Sequence, residues 1–305
     1  MFEKMNFHNY ITIDLTKPDH ISGVTISRFP DGQQNVKITR HLSGSYPVLI
    51  KSRFTSFKDL ELIICTVKSL RRLEVEKICL YIPYLLGARS DRQFSLNENS
   101  YLVDVIAPIL NAQNFHKVFT LDVHSHVAAA CINNLTNLDN TTFVKNVSYS
   151  IYGDRFKINT SSILISPDAG ASHKIYNLAK QIEYTGDIIT CSKERDTEGN
   201  LTKVNVPYQN TDFREKDFII IDDICDGGAT FINIAKHLNN GDFSTKPKVY
   251  LIVTHGIFSK GFSELSKYFD GIYCTNSYRD IIVSTNNETS PMICPGKTFK
   301  QFNIF

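Results

Sequence analysis

Several features are scarce in this 305-residue chain, and each absence narrows its class. The seven cysteines (positions 65, 79, 131, 191, 225, 274 and 294) are odd in number and contain no C-x-x-C pair, which argues against a disulfide framework or a zinc site. No run of 18 apolar residues occurs, so no segment reads as a membrane-spanning helix. The first residues, MFEKMNFHNYITIDL, carry acids and polar groups where a signal peptide needs an apolar core. A cytoplasmic protein in a reducing compartment is the expectation. Charge of one sign is also lacking. With 33 basic and 31 acidic residues mixed along the chain, net +2, no broad field favours nucleic acid or an anionic membrane, and neither is expected as a partner. Any anion must be held by local geometry. Low-complexity tracts and short repeats are absent as well.

What is present is a 42% hydrophobic composition arranged in short runs bounded by turn residues. YITIDL (10–15), PVLIK (47–51), KICLYIP (77–83), KVFTLDV (117–123), SSILISP (161–167), GDIITC (186–191), DFIIIDD (217–223), KVYLIVT (248–254) and GIYCTN (271–276) read as strands. Several are apolar at consecutive positions, as strands covered on both faces are. Between them, SFKDLELIICTVKSLRRLEV, NSYLVDVIAPIL, HKIYNLAKQI and ATFINIAKHLN have helical spacing. This alternation predicts an α/β fold with mostly parallel sheets. The polar stretch NNLTNLDNTTFVKN (133–146) is read as the break between two halves, residues 1–138 and 139–305. SKERDTEGNLTKVN (192–205) reads as a loop or hairpin.

Ligands of open α/β sheets sit beyond the carboxyl ends of the strands, so the strand exits are where chemistry is expected. They read Asp122-Val123-His124, then Ser166-Pro167-Asp168-Ala169-Gly170, then Asp222-Asp223-Ile224-Cys225-Asp226 followed by Gly227, Gly228, Ala229 and Thr230. Small residues at 227–229 let the backbone approach a ligand, and a helix starting near Thr230 offers N–H groups and a positive dipole end to an anion. Paired carboxylates beside such a cradle suit the hydroxyls of a sugar phosphate, or Mg2+. The competing structural reading is a helix cap followed by a Gly-Gly turn. The position behind four apolar strand residues favours a site.

IIIDDICDGGAT resembles the ribose-5-phosphate-binding loop of type I phosphoribosyltransferase folds. Other segments narrow the resemblance to the ribose-phosphate pyrophosphokinase family. FPDGQ (29–33) is similar to that family's F-S-D-G-E, and YIPYLLGARSDRQF (81–94) to P-Y-x-x-Y-A-R-Q-D-R-K. TLDVHS (120–125) resembles M-D-L-H-A, and ISPDAGA (165–171) resembles V-S-P-D-x-G-G. SKER (192–195) falls where the family carries a K-x-R pair, and VTHGIFSKG (253–261) and CTNS (274–277) match its last strands. The matches keep the family's order from about residue 28 to 280.

The resemblance implies two type I phosphoribosyltransferase-like lobes, each a mostly parallel sheet flanked by helices. It implies transfer of the β,γ-diphosphoryl group of ATP to the C1 hydroxyl of a ribose 5-phosphate unit, with AMP leaving. By the same resemblance His124 and Asp168 would contact Mg2+, directly or through water, and Lys193 and Arg195 would reach the migrating diphosphate. Lys193 and Arg195 flank Glu194, so an extended backbone would put them on one side. Arg89, with Ser90 and Asp91, would border ATP, Arg89 stacking on adenine while Phe29 covers its other face. Phe29, Asp31 and Gln33 would reach the ATP site of a neighbouring subunit, implying at least a dimer, whereas a plain PDG turn with Phe29 in the core is the competing reading. Asp222 and Asp223 would take the ribose hydroxyls or their metal, and Asp226, Gly227, Gly228, Ala229 and Thr230 the 5-phosphate.

The chain departs from the family pattern where D-T-x-G-T becomes Asp226-Gly227-Gly228-Ala229-Thr230. One hydroxyl is missing at 227, and losing one hydrogen bond to a charged group costs roughly 1.5–3 kcal/mol. An acceptor whose 5-phosphate is esterified, such as ADP-ribose, is therefore an alternative to ribose 5-phosphate. Ala171, Ser90 and Gln93 are further substitutions, Gln33 replaces Glu, and neither TKPDHIS nor CPGKTFKQFNIF supplies the helix usual in the family at those places. A catalytically silent regulatory subunit and a true phosphoribosyltransferase are the competing classes. Retention of His124, Asp168, Lys193 and Arg195 speaks against the first, and RSDRQF and the paired halves against the second.

Overall fold

The computed structural model describes residues 7–17, 23–42, 46–93, 95–195, 201–207, 216–239, 246–281 and 296–305. The chain divides into two compact units, residues up to 139 together with Phe305, and residues 140–304.

The first unit is built on a parallel sheet. Strands β1 (Ile11–Asp14), β4 (Val48–Lys51), β5 (Ile78–Tyr81), β6 (Lys117–Leu121) and β7 (Leu135–Leu138) lie side by side in that order. An antiparallel hairpin, β2 (Val24–Arg28) and β3 (Gln34–Ile38), stands as a separate two-stranded sheet. Helix α1 (Phe57–Arg72) joins β4 to β5; a π-helical turn (Tyr101–Ile106) leading into α2 (Ala107–Asn111) joins β5 to β6, and α3 (Val127–Cys131) joins β6 to β7. A capping box opens α1, with the Asp59 carboxylate accepting from the Ser56 backbone N–H at 2.9 Å. Its stripe of Leu60, Ile63, Val67 and Leu70 meets Val48, Ile50, Ile78 and Leu80 on one sheet face. The opposite face carries Leu49, Cys79, Tyr81 and Phe119, covered by Phe7, Tyr10 and Phe305. Strand residues of both parities are thus buried, which is why these segments are apolar without alternation.

The stretch 133–146, read from sequence as the break between two halves, contains the boundary between the units at 139/140, and it also carries β7 and the start of the next helix. Its polarity belongs to an edge strand whose Thr136 and Asn137 are exposed.

The second unit repeats the plan. Helices α4 (Thr141–Tyr152) and α5 (Ile158–Ser161) lead into β8 (Ser162–Ser166), α6 (Ala169–Gln181) and β9 (Ile188–Thr190). A hairpin follows, β10 (Ser192–Arg195) with β11 (Leu201–Asn205). Then come β12 (Asp217–Cys225), α7 (Ala229–Asn239), β13 (Val249–Gly256), α8 (Ser263–Tyr268), β14 (Gly271–Thr275) and β15 (Thr298–Phe302). The main sheet, in the order β15-β14-β13-β12-β8-β9, is parallel throughout. Ile163, Ile165, Phe218, Ile220, Leu251 and Val253 pack on one face with Phe231 and Ile234 of α7. Leu164, Ile219, Ile221 and Ile252 pack on the other with Phe143 and Val147 of α4 and Ile175 and Leu178 of α6. At the carboxyl terminus the segment that lacks the expected helix supplies the edge strand β15.

Strand β12 is nine residues long and outruns its neighbour β8. It pairs with β8 only through Ile220 but with β13 as far as Cys225. Asp222 and Asp223 therefore remain in extended backbone beside a gap that β8 has left. Leu251, in the middle of this sheet and fully buried, tests the packing: Leu251→Ala should lower the stability of this unit by about 2–5 kcal/mol, read from the urea midpoint.

Candidate functional site

Three exits of the second sheet converge. Asp168 ends the connection from β8 as the N-cap of α6, its Oδ1 accepting from the Ala171 N–H at 2.9 Å. The Ser166 hydroxyl donates to the Asp168 carbonyl at 2.8 Å, tightening the same turn. Lys193 of β10 forms an ion pair with the other oxygen of Asp168. Burial alone would raise this carboxyl, but the Lys193 ammonium and the N–H groups of Ala171 and Gly170 outweigh it and hold Asp168 below the usual carboxylate range.

Asp222 and Asp223 occupy the gap beside β8. Asp223 is buried, and its carboxylate meets the Lys174 ammonium of α6 at 3.2 Å. Asp222 accepts from the Asp223 N–H at 2.9 Å and hydrogen-bonds the Asp223 carboxylate. Burial and the adjacent Asp223 push the Asp222 carboxyl well above the ordinary range, and Asp168 adds in the same direction. Two carboxylates this close favour holding one proton between them.

The loop that follows is shaped for an anion. Gly228 has φ +80°, and a Cβ there would lie 2.9 Å from Leu265, so both backbone and space require glycine. Gly227, Gly228 and Ala229 lead directly into α7, whose first turn presents N–H groups without intrahelical acceptors. Ser259, after β13, donates to Asp226 Oδ1 at 2.5 Å and ties the loop to the next connection.

Arg195 pairs with Leu201 across the hairpin, and its side chain lies outside the described residues. A register shift between Glu194 and Arg195 interrupts the alternation on which a shared side with Lys193 depended.

The remaining expected site residues belong to the first unit. β5 and β6 are adjacent and parallel, so their exits, leading to Arg89-Ser90-Asp91 and to His124, open at one edge. The Leu121 N–H donates to the Pro83 carbonyl at 3.0 Å, joining the two exits. Gly87, at φ +86° against Tyr101, turns the chain, and Ser90 accepts from the Tyr101 N–H at 3.2 Å, leaving Arg89 exposed. Asp122 takes a left-handed φ of +46° with its N–H donating to the Leu138 carbonyl at 2.8 Å, and His124 beyond it is exposed. Phe29 tips the β2–β3 hairpin and is 51% exposed, which removes the reading that placed it in the core. The tip is closed by Phe29 N–H to Gln33 carbonyl at 2.8 Å and Gln33 N–H to Asp31 Oδ1 at 3.1 Å.

A model of the phosphoribosyl transferase domain matches residues 135–284, the stretch containing Asp168, Lys193 and the β12 loop. The ribose-phosphate pyrophosphokinase of Haemophilus ducreyi is 27% identical over 241 residues, spanning 78% of this chain and 72% of that protein. The same enzyme of Vibrio vulnificus is 25% identical over 272 residues, spanning 88% and 80%. The chain resembles the ribose-phosphate pyrophosphokinases as a divergent relative. Its fold is that of the solved phosphoribosylpyrophosphate synthetase from Mycobacterium smegmatis, with a TM-score of 0.70 at 17% identity over 92% of this chain and 86% of that one.

Within this family frame, sequence reading missed Lys174 and Ser259. Lys174 lies six residues after Asp168 on a helix read only for its apolar stripe, and Ser259 lies in a segment read only as the continuation of a strand. A polar residue following a matched strand exit was the available signal in both cases.

The charge arrangement carries a test. A carboxyl whose folded value is raised adds stability below the ordinary carboxylate range and loses it as pH rises through that folded value. Asp222→Asn stays neutral, so without nucleotide or divalent cation it should melt a few degrees above the wild type at pH 8. The gain should vanish near pH 4. Equal melting temperatures across this range would contradict the burial and repulsion assigned to Asp222.

Proposed function

We propose that the chain transfers the diphosphoryl group of ATP to the C1 hydroxyl of ribose 5-phosphate, giving phosphoribosyl pyrophosphate and AMP. The hydroxyl oxygen bonds to the β-phosphorus, the bond from that phosphorus to the α,β-bridging oxygen breaks, and the hydroxyl proton is released. The observation carrying this reading is the β12 exit: a carboxylate pair, Asp222 half-buried and Asp223 buried, running into a glycine loop and a helix N-terminus, beside the Asp168–Lys193 pair.

Each feature suits one part of the reaction. The loop from Asp226 to Thr230 would receive the 5-phosphate on backbone N–H groups. Asp222 and Asp223 would accept from the ribose hydroxyls and orient C1. Lys193 would stabilise charge gathering on the migrating diphosphate, since transfers of this kind depend on positioning and charge neutralisation. Arg89, Ser90 and Asp91 would hold ATP. Phe29, Asp31 and Gln33, on an exposed hairpin tip, would complete the ATP site of a neighbouring copy, making a homo-oligomer the functional form.

The donor set fits Mg2+. Among the described residues no group of three or more His, Cys, Asp or Glu side chains converges, but Mg2+ keeps waters and phosphate oxygens and needs only one or two carboxylates from protein. Asp168, fixed by its cap, and Asp222 are suitable holders in the second unit, and His124, exposed at its strand exit, would be a holder in the first. When bound, the ion would neutralise phosphate charge.

ADP-ribose as acceptor is a second reading with the same chemistry, supported by the missing hydroxyl at Gly227. AMP release in MgATP with each acceptor decides between them. Ribose 5-phosphate should be used at least about tenfold more efficiently, a preference for ADP-ribose would reverse the assignment, and silence with both would favour a regulatory subunit. Lys193→Ala should lower kcat about a hundredfold or more while KM for ATP changes little. Equal losses in both would remove its role in the transition state.

A further inference from the structure

The phosphate loop raises a question about Gly227. Among the described residues Gly228 has positive φ but Gly227 does not, so backbone conformation gives no reason for glycine at 227. Space does. A Cβ at 227 would lie 3.4 Å from both Cδ and Cε of Lys260 and 3.7 Å from its Cγ. A branched side chain would extend further into the same methylenes. Lys260 therefore lies along the side of the loop where a larger residue at 227 would project.

Three further observations concern how the Lys260 segment meets this loop. The neighbouring Ser259 is anchored to Asp226 at 2.5 Å, so the connection after β13 is tied to the loop. The turn is also closed by the Ile257 and Phe258 N–H groups, which donate to the Cys225 carbonyl at 2.9 and 3.1 Å. Finally, Lys260 is exposed, and among the described residues no carboxylate pairs with its ammonium. A methylene stem packed on apolar or backbone surface with its charged end in solvent is the usual lysine arrangement. Here the stem runs beside Gly227, two residues before α7 begins.

We propose that Lys260 is a specificity-determining residue of the phosphate loop, its ammonium binding the terminal phosphate oxygens of the acceptor in place of the hydroxyl that glycine at 227 lacks. This inference rests on the acceptor reading given above and refines it. A cation replaces a neutral donor, so the loop selects the monoester dianion of ribose 5-phosphate over the diphosphate ester of ADP-ribose, whose phosphoryl oxygens each carry less charge and whose bulk must pass the lysine. Glycine at 227 and lysine at 260 form one device, because a side chain at 227 would lie directly against the Lys260 stem.

Steady-state kinetics and calorimetric titration with ribose 5-phosphate test the device. Lys260→Ala should weaken ribose 5-phosphate about tenfold or more, the effect of one charge-assisted hydrogen bond, and leave KM for ATP within about twofold. Lys260→Arg should keep most of the affinity. Gly227→Thr alone should impair binding, whereas Gly227→Thr combined with Lys260→Ala should recover much of what Lys260→Ala loses, giving a non-additive cycle. Unchanged ribose 5-phosphate affinity in Lys260→Ala, or equal losses for ATP, would overturn the proposal. A wild type that forms AMP but ignores Lys260→Ala overturns the contact alone. One that forms no AMP yet loses affinity on Lys260→Ala keeps the contact and overturns the reaction, and one that binds no ribose 5-phosphate overturns both.

Discussion

Negative charge gathered at the buried end of β12 is the constraint around which the second unit is arranged. Asp222 and Asp223 are consecutive, hydrogen-bonded to each other, and near Asp168. Carboxylates in such surroundings are costly unless protonated, paired or bound to a ligand. The protein uses the first two remedies in the absence of ligand: Asp222 is driven toward its neutral form, while Lys174 pairs with Asp223 and Lys193 with Asp168. A site in this condition is unstable toward binding, because hydroxyls or a divalent cation can take over roles that protons and lysines fill without them.

The fold makes the gathering possible by unequal strand lengths. A parallel sheet with both faces covered sends every strand exit to one edge. β12 passes beyond β8 along that edge, and the turn into α6 fills the end of β8 with Asp168 as cap. α6 then returns Lys174 toward Asp223, and the β10–β11 hairpin delivers Lys193 from a different segment. Three stretches distant in sequence meet because the sheet holds β8 and β12 as neighbours.

Against this frame, the variable parts are connections, as expected where loops carry specificity on a rigid scaffold. The phosphate loop loses a side chain at Gly227 and the following connection supplies Lys260 beside it. In the first unit, the same division holds: the parallel strands keep their apolar runs, while the hairpin bearing Phe29 stands outside the main sheet with its tip exposed.

The nine apolar runs all became strands of parallel sheets, and the motif residues at their exits were legible one by one. Local rules were sufficient there, since burial on two faces imposes continuous apolar sequence, and a glycine loop before a helix has its own signature. Two of the four edge strands of the main sheets escaped that logic: β7 and β15, each paired on one side, read as a polar break and as a missing helix, whereas the edges β1 and β9 kept apolar runs. The Lys174–Asp223 pair and the stem of Lys260 against Gly227 could not be read at all, because each joins residues 33 or more positions apart. Sequence by itself determined the α/β class, the strand exits and the kinds of groups they carry. Only the tertiary structure decided which lysine meets which carboxylate and what fills the space beside the loop, because those depend on distances that chain order does not encode.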